Sequence, residues 1–311
     1  MKKHLRIGSR KSPLALWQAQ NVADLLTAKG WNTQIITFET TGDLKLDASI
    51  SKIGSKGVFT AELEEALRLQ NIDIAVHSAK DMPSEDSPNL KLLAFTEREA
   101  AHDVLVSSKP IVDGQIPANW IIGTSSTRRV AQLKHFYPSL KTQNVRGNLQ
   151  TRFRKLSEGH CDALMLAFAG VHRMGFAAQI VYEFPIHKIV TSAGQGSLAI
   201  QVAEKMPQEL QNELFEILNH EHTSVAVLAE RAFLKTMQGG CSVPVFVHAE
   251  LQNSGQYCLM GGVASLDGQQ FLSEKTICGR ETIQSFAIQM ADKLLERGAK
   301  QILEEIKQEK S

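Results

Sequence analysis

Ile72-Asp73-Ile74-Ala75-Val76-His77-Ser78-Ala79-Lys80-Asp81-Met82-Pro83 reads as a buried strand and its polar exit. The first six residues form a short, nearly continuous apolar run, the composition of a strand covered on both faces. Lys80-Asp81 ends it, and Pro83 fixes the exit. Upstream, residues 5–8 read as another strand. Ser12-Pro13 then looks like an N-cap followed by a first-turn proline, opening a helix to about residue 29. Residues 33–38 fit a strand and 58–70 a helix. Apolar strands alternating with helices point to parallel βαβ units.

The pattern then restarts. Trp120-Ile121-Ile122-Gly123-Thr124-Ser125 echoes Leu5-Arg6-Ile7-Gly8-Ser9-Arg10, and a helix over 126–137 comes next. Cys161-Asp162-Ala163-Leu164-Met165-Leu166 echoes the strand at 72–76. This weak internal repeat predicts two similar α/β domains facing each other, with strand ends and Ser/Thr-rich helix starts that suit anions. The space between them is the expected ligand site. A helix is expected to start after Thr191-Ser192-Ala193-Gly194-Gln195-Gly196, followed by an acidic helical region over 204–237. Beyond it, three antiparallel strands (245–251, 256–264 and 270–277) and one long helix (281–307) form a small C-terminal unit.

With 311 residues, two or three domains are expected. A hydrophobic content of 43% and a charged content of 22% describe a globular protein, and no apolar run approaches the roughly 18 residues of a membrane span. The first residues run straight into a strand-like segment without a signal-peptide core, and four cysteines without a CxxC pair suggest free thiols. The expected location is cytoplasmic. A net charge of +1 conceals an asymmetry: between Ile122 and Arg173 nine Lys/Arg face only Glu158 and Asp162. Such a face implies an anionic partner. Aromatics make up 6% and none interleave with the basic run, so nucleic acid is not the expected partner. The histidines lack metal-ligand spacing, and no metal is expected. Trp17 and Trp31 read as core residues.

Three features carry chemistry. Asp81 and Lys80 stand at the end of a strand, where α/β sheets point into the ligand crevice; a carboxylate there can stabilise a cation forming beside it. Arg128-Arg129 occupy a helical first turn, which the macrodipole makes unfavourable for cations, so their placement suggests use. With Arg146, Arg152 and Arg173 they offer bidentate partners for carboxylates. Arg152 and Arg154 fall on opposite helix faces and do not both line a cleft. Gly239-Gly240-Cys241-Ser242-Val243-Pro244 presents one thiol on a glycine-flexed loop, unlike Cys161, Cys258 and Cys278. Gly194-Gln195-Gly196-Ser197-Leu198-Ala199 matches a relaxed dinucleotide pattern but lacks its βαβ setting.

Taken together, the chain resembles the porphobilinogen deaminase (hydroxymethylbilane synthase) family over essentially its whole length. The matching segments are Arg6–Ala15, Asp73–Pro83, Gly123–Arg129, Arg146-Gly147-Asn148, Gly194-Gln195-Gly196 and Gly240–Pro244. The resemblance implies a type II periplasmic-binding-protein-like fold. Two doubly wound α/β domains, residues 1–96 with 198–217 and residues 97–197, would face a cleft, with a C-terminal α+β domain over 218–311. It implies a dipyrromethane cofactor held by Cys241 through a thioether, and stepwise condensation of four porphobilinogen molecules with loss of ammonia. Hydrolysis would then release hydroxymethylbilane. Asp81 matches the catalytic carboxylate. Arg10, Ser12, Lys80, Arg128, Arg129, Arg146, Arg152 and Arg173 match groups that hold cofactor and substrate carboxylates; Ser78, Thr124, Ser126 and Gln195 match secondary contacts. Lys52, Lys56 and Phe59 match a mobile loop. A monomer without nucleic-acid or membrane partners is implied. Arg98-Glu99-Ala100-Ala101-His102-Asp103 departs from the commoner R-E-D-P-R-D, and no catalytic need attaches to what is missing.

An anion-binding receptor of similar architecture is the competing expectation, and a nucleic-acid module the third; the first would bind without covalent chemistry.

Overall fold

The computed structural model describes residues 4–40, 60–85, 87–239 and 243–309. The chain starts with β1 (His4–Arg10), α1 (Pro13–Thr27), β2 (Asn32–Phe38), α2 (Ala61–Arg68) and β3 (Ile74–Ser78). A one-turn 3₁₀ helix, Ala79–Asp81, leads on to β4 (Leu90–Phe95). The chain then crosses into a second unit: β5 (Asp103–Val106), β6 (Ile121–Gly123), α3 (Thr127–Phe136), β7 (Lys141–Gln143), α4 (Leu149–Ser157), β8 (Ala163–Ala167), α5 (Phe168–Arg173) and β9 (Ile180–Glu183). It returns through β10 (Leu198–Ala203) and α6 (Gln208–Leu218). The last unit comprises α7 (Glu221–Thr236), β11 (Val245–Leu251), β12 (Tyr257–Ala264), β13 (Phe271–Cys278), α8 (Ile283–Leu294) and α9 (Lys300–Glu309).

The first two sheets have the same plan. Their strand orders are β2-β1-β3-β10-β4 and β7-β6-β8-β5-β9. In each, four of the five strands run in one direction, and the fourth in spatial order is antiparallel to both its neighbours. The parallel βαβ pairing expected from the sequence is present in each sheet, which an antiparallel strand then extends. The antiparallel strand, β10 or β5, is in each case the one that has just crossed from the other unit. Such a crossing strand enters from outside and has no preceding helix to reverse its direction.

The echo between the halves has a physical basis. Asp73 accepts a hydrogen bond from the Arg6 N–H at 2.7 Å, while its own N–H donates to the Arg6 carbonyl at 2.9 Å. Asp162 does the same with Ile121 at 2.8 Å in both directions. Gly8 and Gly123 also correspond: a Cβ on Gly8 would lie 2.3 Å from Ile72, and one on Gly123 2.6 Å from Cys161. One aspartate and one glycine per half therefore set how the first and third strands meet.

The run Leu198-Ala199-Ile200-Gln201-Val202-Ala203, expected to open a helix, is instead the fully buried strand β10. The single long C-terminal helix is two helices broken at Gly298, whose φ of 112° no helix accepts. Each of the first two sheets is covered on both faces. Leu5, Ile7, Val22 and Ile200 lie on one side of the first sheet, with Leu63, Leu67 and Ile72 on the other. The third sheet, order β11-β12-β13, packs against α7 and α8 around Phe233, Val247, Leu259 and Leu294. Trp31 is core, as expected, but Trp17 is 38% exposed and stacks under the Arg173 guanidinium, 5.3 Å from the ring centre. Among the described residues, no helix is long and apolar enough to cross a membrane.

Candidate active site

Strand ends of the two facing units carry most of the expected site. β1 ends at Arg10, and Ser12 caps α1, its hydroxyl accepting from the Ala15 N–H at 3.4 Å. β3 runs into the 3₁₀ turn that holds Lys80 and Asp81. Across the cleft, β6 leads through Thr124 to Ser126, which caps α3 by accepting from the Arg129 N–H at 3.4 Å. Asn148 caps α4 in the same way, so that Arg152 comes one turn later.

The charges of several of these groups act on one another. Lys80 is pushed down to about 8 by burial, against the pull of Asp81, and the Arg129 charge lowers it further. Asp103 and Arg128 act on it as well. Arg152 is lowered to about 10 by burial and by Arg129, while Asp81 pulls it up and Arg146 down. Asp81 and Arg10 both act on buried His77, which burial takes down to about 4. Asp81, Lys80, Arg10, Arg128, Arg129, Arg146 and Arg152 are thus linked through shared electrostatic neighbours.

Other expected contacts are engaged with protein. Arg128 and Arg129 are 5% and 6% exposed and share the carboxylate of Asp103. Arg173 donates to Glu99 Oε2 at 2.7 Å and to the Gly196 carbonyl at 2.6 Å. Gln195, 1% exposed, donates to Asp103 Oδ1 at 2.8 Å and to the Ala101 carbonyl at 2.5 Å. The Ser78 hydroxyl accepts from Gln18 Nε2 at 2.9 Å, and Thr124 Oγ1 accepts from the Ser126 N–H at 3.3 Å. Arg154, on the exposed face of α4, pairs with Glu158. Cys241, Lys52, Lys56 and Phe59 lie outside the described residues. Cys161, Cys258 and Cys278 are buried, and burial raises each thiol, Cys161 to about 11, so none of these three is a ready nucleophile.

Sequence reasoning passed over two carboxylates. Asp103 is fully buried, and burial alone would raise its pKa; Arg128 and Arg129 outweigh that and hold it well below the usual carboxylate range. Glu230 on α7 is also fully buried. It accepts from Arg98 Nη1 and Nη2 at 2.8 and 2.6 Å and from the N–H groups of Gly194 and Ala249, both at 2.7 Å. Asp103 was legible only as the last residue of a motif judged by its missing members. Nothing local in the sequence marks Glu230.

The two α/β units carry a strand-end carboxylate and helix-borne arginines suited to anionic groups. The chain belongs to the porphobilinogen deaminase family. Residues 5–211 match the family's dipyrromethane cofactor binding domain and residues 224–296 its C-terminal domain. The porphobilinogen deaminase of Cytophaga hutchinsonii is 49% identical over 307 residues, covering 99% of this chain and 98% of that protein. That of Desulfosudis oleivorans is 44% identical over 310 residues, covering 99% of both. Among solved structures, the methionine-binding protein MetQ is similar at a TM-score of 0.46 and 11% identity, over 71% of this chain and 92% of that one. That likeness is too loose to bear on function.

The residues present fit the family's cofactor. Its two pyrrole rings bear acetate and propionate groups, and the cleft supplies guanidinium donors of matching charge. Arg129 Nε is buried and, among the described residues, has no hydrogen-bond partner. A buried unsatisfied donor costs about 1–3 kcal/mol, which an incoming oxygen would recover.

Proposed function

We propose that this chain condenses four porphobilinogen molecules head to tail, with loss of ammonia, and releases hydroxymethylbilane by hydrolysis. What supports this reading is the match of residues 5–211 to the family's cofactor binding domain, with Lys80 and Asp81 on the turn after β3 and Arg129 and Arg152 in the first turns of α3 and α4. Dipyrromethane, when bound through Cys241, supplies the primer from which the product chain grows.

Loss of ammonia from the substrate's aminomethyl group leaves a cation spread over the pyrrole ring. Asp81, held by the 3₁₀ turn at the end of β3, accepts from the pyrrole N–H and balances that charge in a partly buried site, where the interaction is stronger than in water. Lys80, Arg10, Arg146 and Arg152 bind the acetate and propionate groups and fix the ring's orientation. Arg128, Arg129 and Arg173 form the protein-braced part of the same wall, with Ser12, Ser78, Thr124, Ser126 and Gln195 holding backbone and side chains in place. Lys52, Lys56 and Phe59 are assigned to a loop that closes over the ligand. Domain limits at residues 96, 197 and 217, a monomeric state and a cytoplasmic location complete the proposal.

The test is the intact mass of the denatured, purified protein, with Ehrlich's reagent as the colour reaction. Excess mass equal to two linked porphobilinogen units, absent from Cys241→Ser, is the expected result. A bare mass that stays bare after incubation with porphobilinogen would overturn the reading and favour an anion-binding protein without covalent chemistry.

A further inference from the structure

Asp103 opens β5, directly after the chain's first crossing between the two α/β units. Its carboxylate is fully buried, and three side-chain donors reach it. Oδ1 accepts from Arg129 Nη2 at 2.7 Å and from Gln195 Nε2 at 2.8 Å; Oδ2 accepts from Arg128 Nη2 at 2.8 Å. Each arginine has a second anchor: Arg128 Nη1 on the Val190 carbonyl at 2.7 Å and Arg129 Nη1 on the Met165 carbonyl at 3.0 Å. Gln132, one turn further along α3, exchanges two hydrogen bonds with the backbone of Val190, at 2.8 and 2.9 Å. Gln195 and Val190 belong to the return crossing, as Asp103 adjoins the outgoing one. A single carboxylate therefore ties the two guanidinium groups to each other and to both connections between the units.

We propose that Asp103 is a positioning residue for chain elongation: it aligns Arg128 and Arg129 and couples their alignment to the two interdomain crossings. The proposal rests on the reading given under Proposed function. Both Nη groups of Arg128 are engaged by protein acceptors, so its part in the site is to brace. Arg129 is held by the same two kinds of acceptor but leaves Nε without a partner among the described residues. Asp103 thus sets which edge of Arg129 remains for a ligand oxygen. One anion between two cations also leaves the cluster a net charge of +1, so a ligand carboxylate is still attracted. Asp103 and α3 belong to the same unit, and Gln195 brings the return crossing onto the carboxylate they share.

The experiment compares wild type, Asp103→Asn and Asp103→Glu in three ways. Far-UV circular dichroism melts check the fold; intact mass before substrate gives the occupancy of the two-unit adduct; intact mass after limiting porphobilinogen gives the ladder of ring-addition states. Asparagine keeps the shape but offers one acceptor instead of two. The expected result is a folded protein with reduced adduct occupancy, ring-addition species that persist, and a kcat about 10- to 100-fold lower, as misplacement of a binding group predicts. If Asp103→Asn does not fold, Asp103→Glu carries the test. It keeps the charge while displacing the carboxylate by a methylene, so it should fold and still accumulate ring-addition species.

A folded variant with wild-type occupancy, ladder and kcat would overturn the proposal, whatever its melting temperature. A wild-type protein without any ladder would instead overturn the functional reading on which the proposal rests.

Discussion

Replacing Glu230 with glutamine tests whether the C-terminal unit is bolted to the crossings or merely rests on them. The wild-type carboxylate accepts four hydrogen bonds, two from Arg98, one from Gly194 on the return crossing and one from Ala249 on β11. An amide accepts at one oxygen only, and its NH₂ would face two donors. The Arg98 side chain is 12% exposed, so its charge would remain buried and uncompensated. Breaking one partner of a buried ion pair costs about 3–5 kcal/mol. Backbone donors to a charged acceptor contribute about 1.5–3 kcal/mol each when taken singly, but contacts that share one group do not add. A loss of about 4 kcal/mol is the working figure. At roughly 2–4 °C per kcal/mol, the melting temperature should fall by about 8–16 °C. Urea unfolding followed by circular dichroism gives the free energy directly. A loss under about 1 kcal/mol would refute the reasoning. Glu230→Gln/Arg98→Met should lose less than Glu230→Gln alone, because removing both charges leaves none stranded.

Three further outcomes are expected. Asp81→Asn should fold normally and cut kcat about a hundredfold or more, since the amide cannot balance the developing cation; steady-state kinetics on the mass-verified holo-protein checks this. Lys80, lowered to about 8, is cationic below that pH and neutral above it, so binding of porphobilinogen should weaken as pH rises through about 8 and be accompanied by proton uptake. Calorimetry in buffers of different ionisation heat reads that uptake, and Lys80→Met should abolish it. His77 and His248 are both lowered by burial to about 4. Their unfolded forms take up protons below about 6.5 while the folded forms stay neutral. Stability should therefore fall as pH drops from about 6.5 towards 4, by about 2 kcal/mol per histidine between pH 7 and 5. Urea midpoints at the two pH values test this, and His77→Gln should flatten the dependence.

Both α/β units were legible because the residues that repeat are the ones that fix strand geometry. Asp73 and Asp162 lock the same backbone pair, and Gly8 and Gly123 make room for the same neighbour. The crossing strand β10 was misread because a six-residue apolar run carries no period that separates a strand from a buried helix. Only pairing with β3 and β4 makes it a strand. Trp17 was misread because composition cannot show that Arg173 lies over its ring. In the candidate site, residue types and strand-end positions were readable, so Asp81, Lys80 and the arginines emerged from sequence. Their partners were not. Asp103 stands 25 residues before Arg128 and 92 before Gln195, and Glu230 stands 132 residues after Arg98. No local pattern encodes those separations.

These partners change what the basic stretch means. Counted in sequence, its nine cations look equivalent; in the fold they are not. Arg128 and Arg129 are balanced by Asp103, Arg173 by Glu99 and Arg154 by Glu158. Among the described residues, Lys80 and Arg152 have no carboxylate within ion-pair distance, and burial with neighbouring cations disfavours their charged forms. A ligand carboxylate relieves that cost where it exists and adds little where a protein carboxylate already does so. Lys80 and Arg152 should therefore gain most from binding, and the braced arginines should chiefly hold the wall's shape. Binding strength and geometry are thereby divided between two sets of cations within one cleft. That division lets a growing polycarboxylate be gripped by a few groups at a time while the framework around it stays fixed.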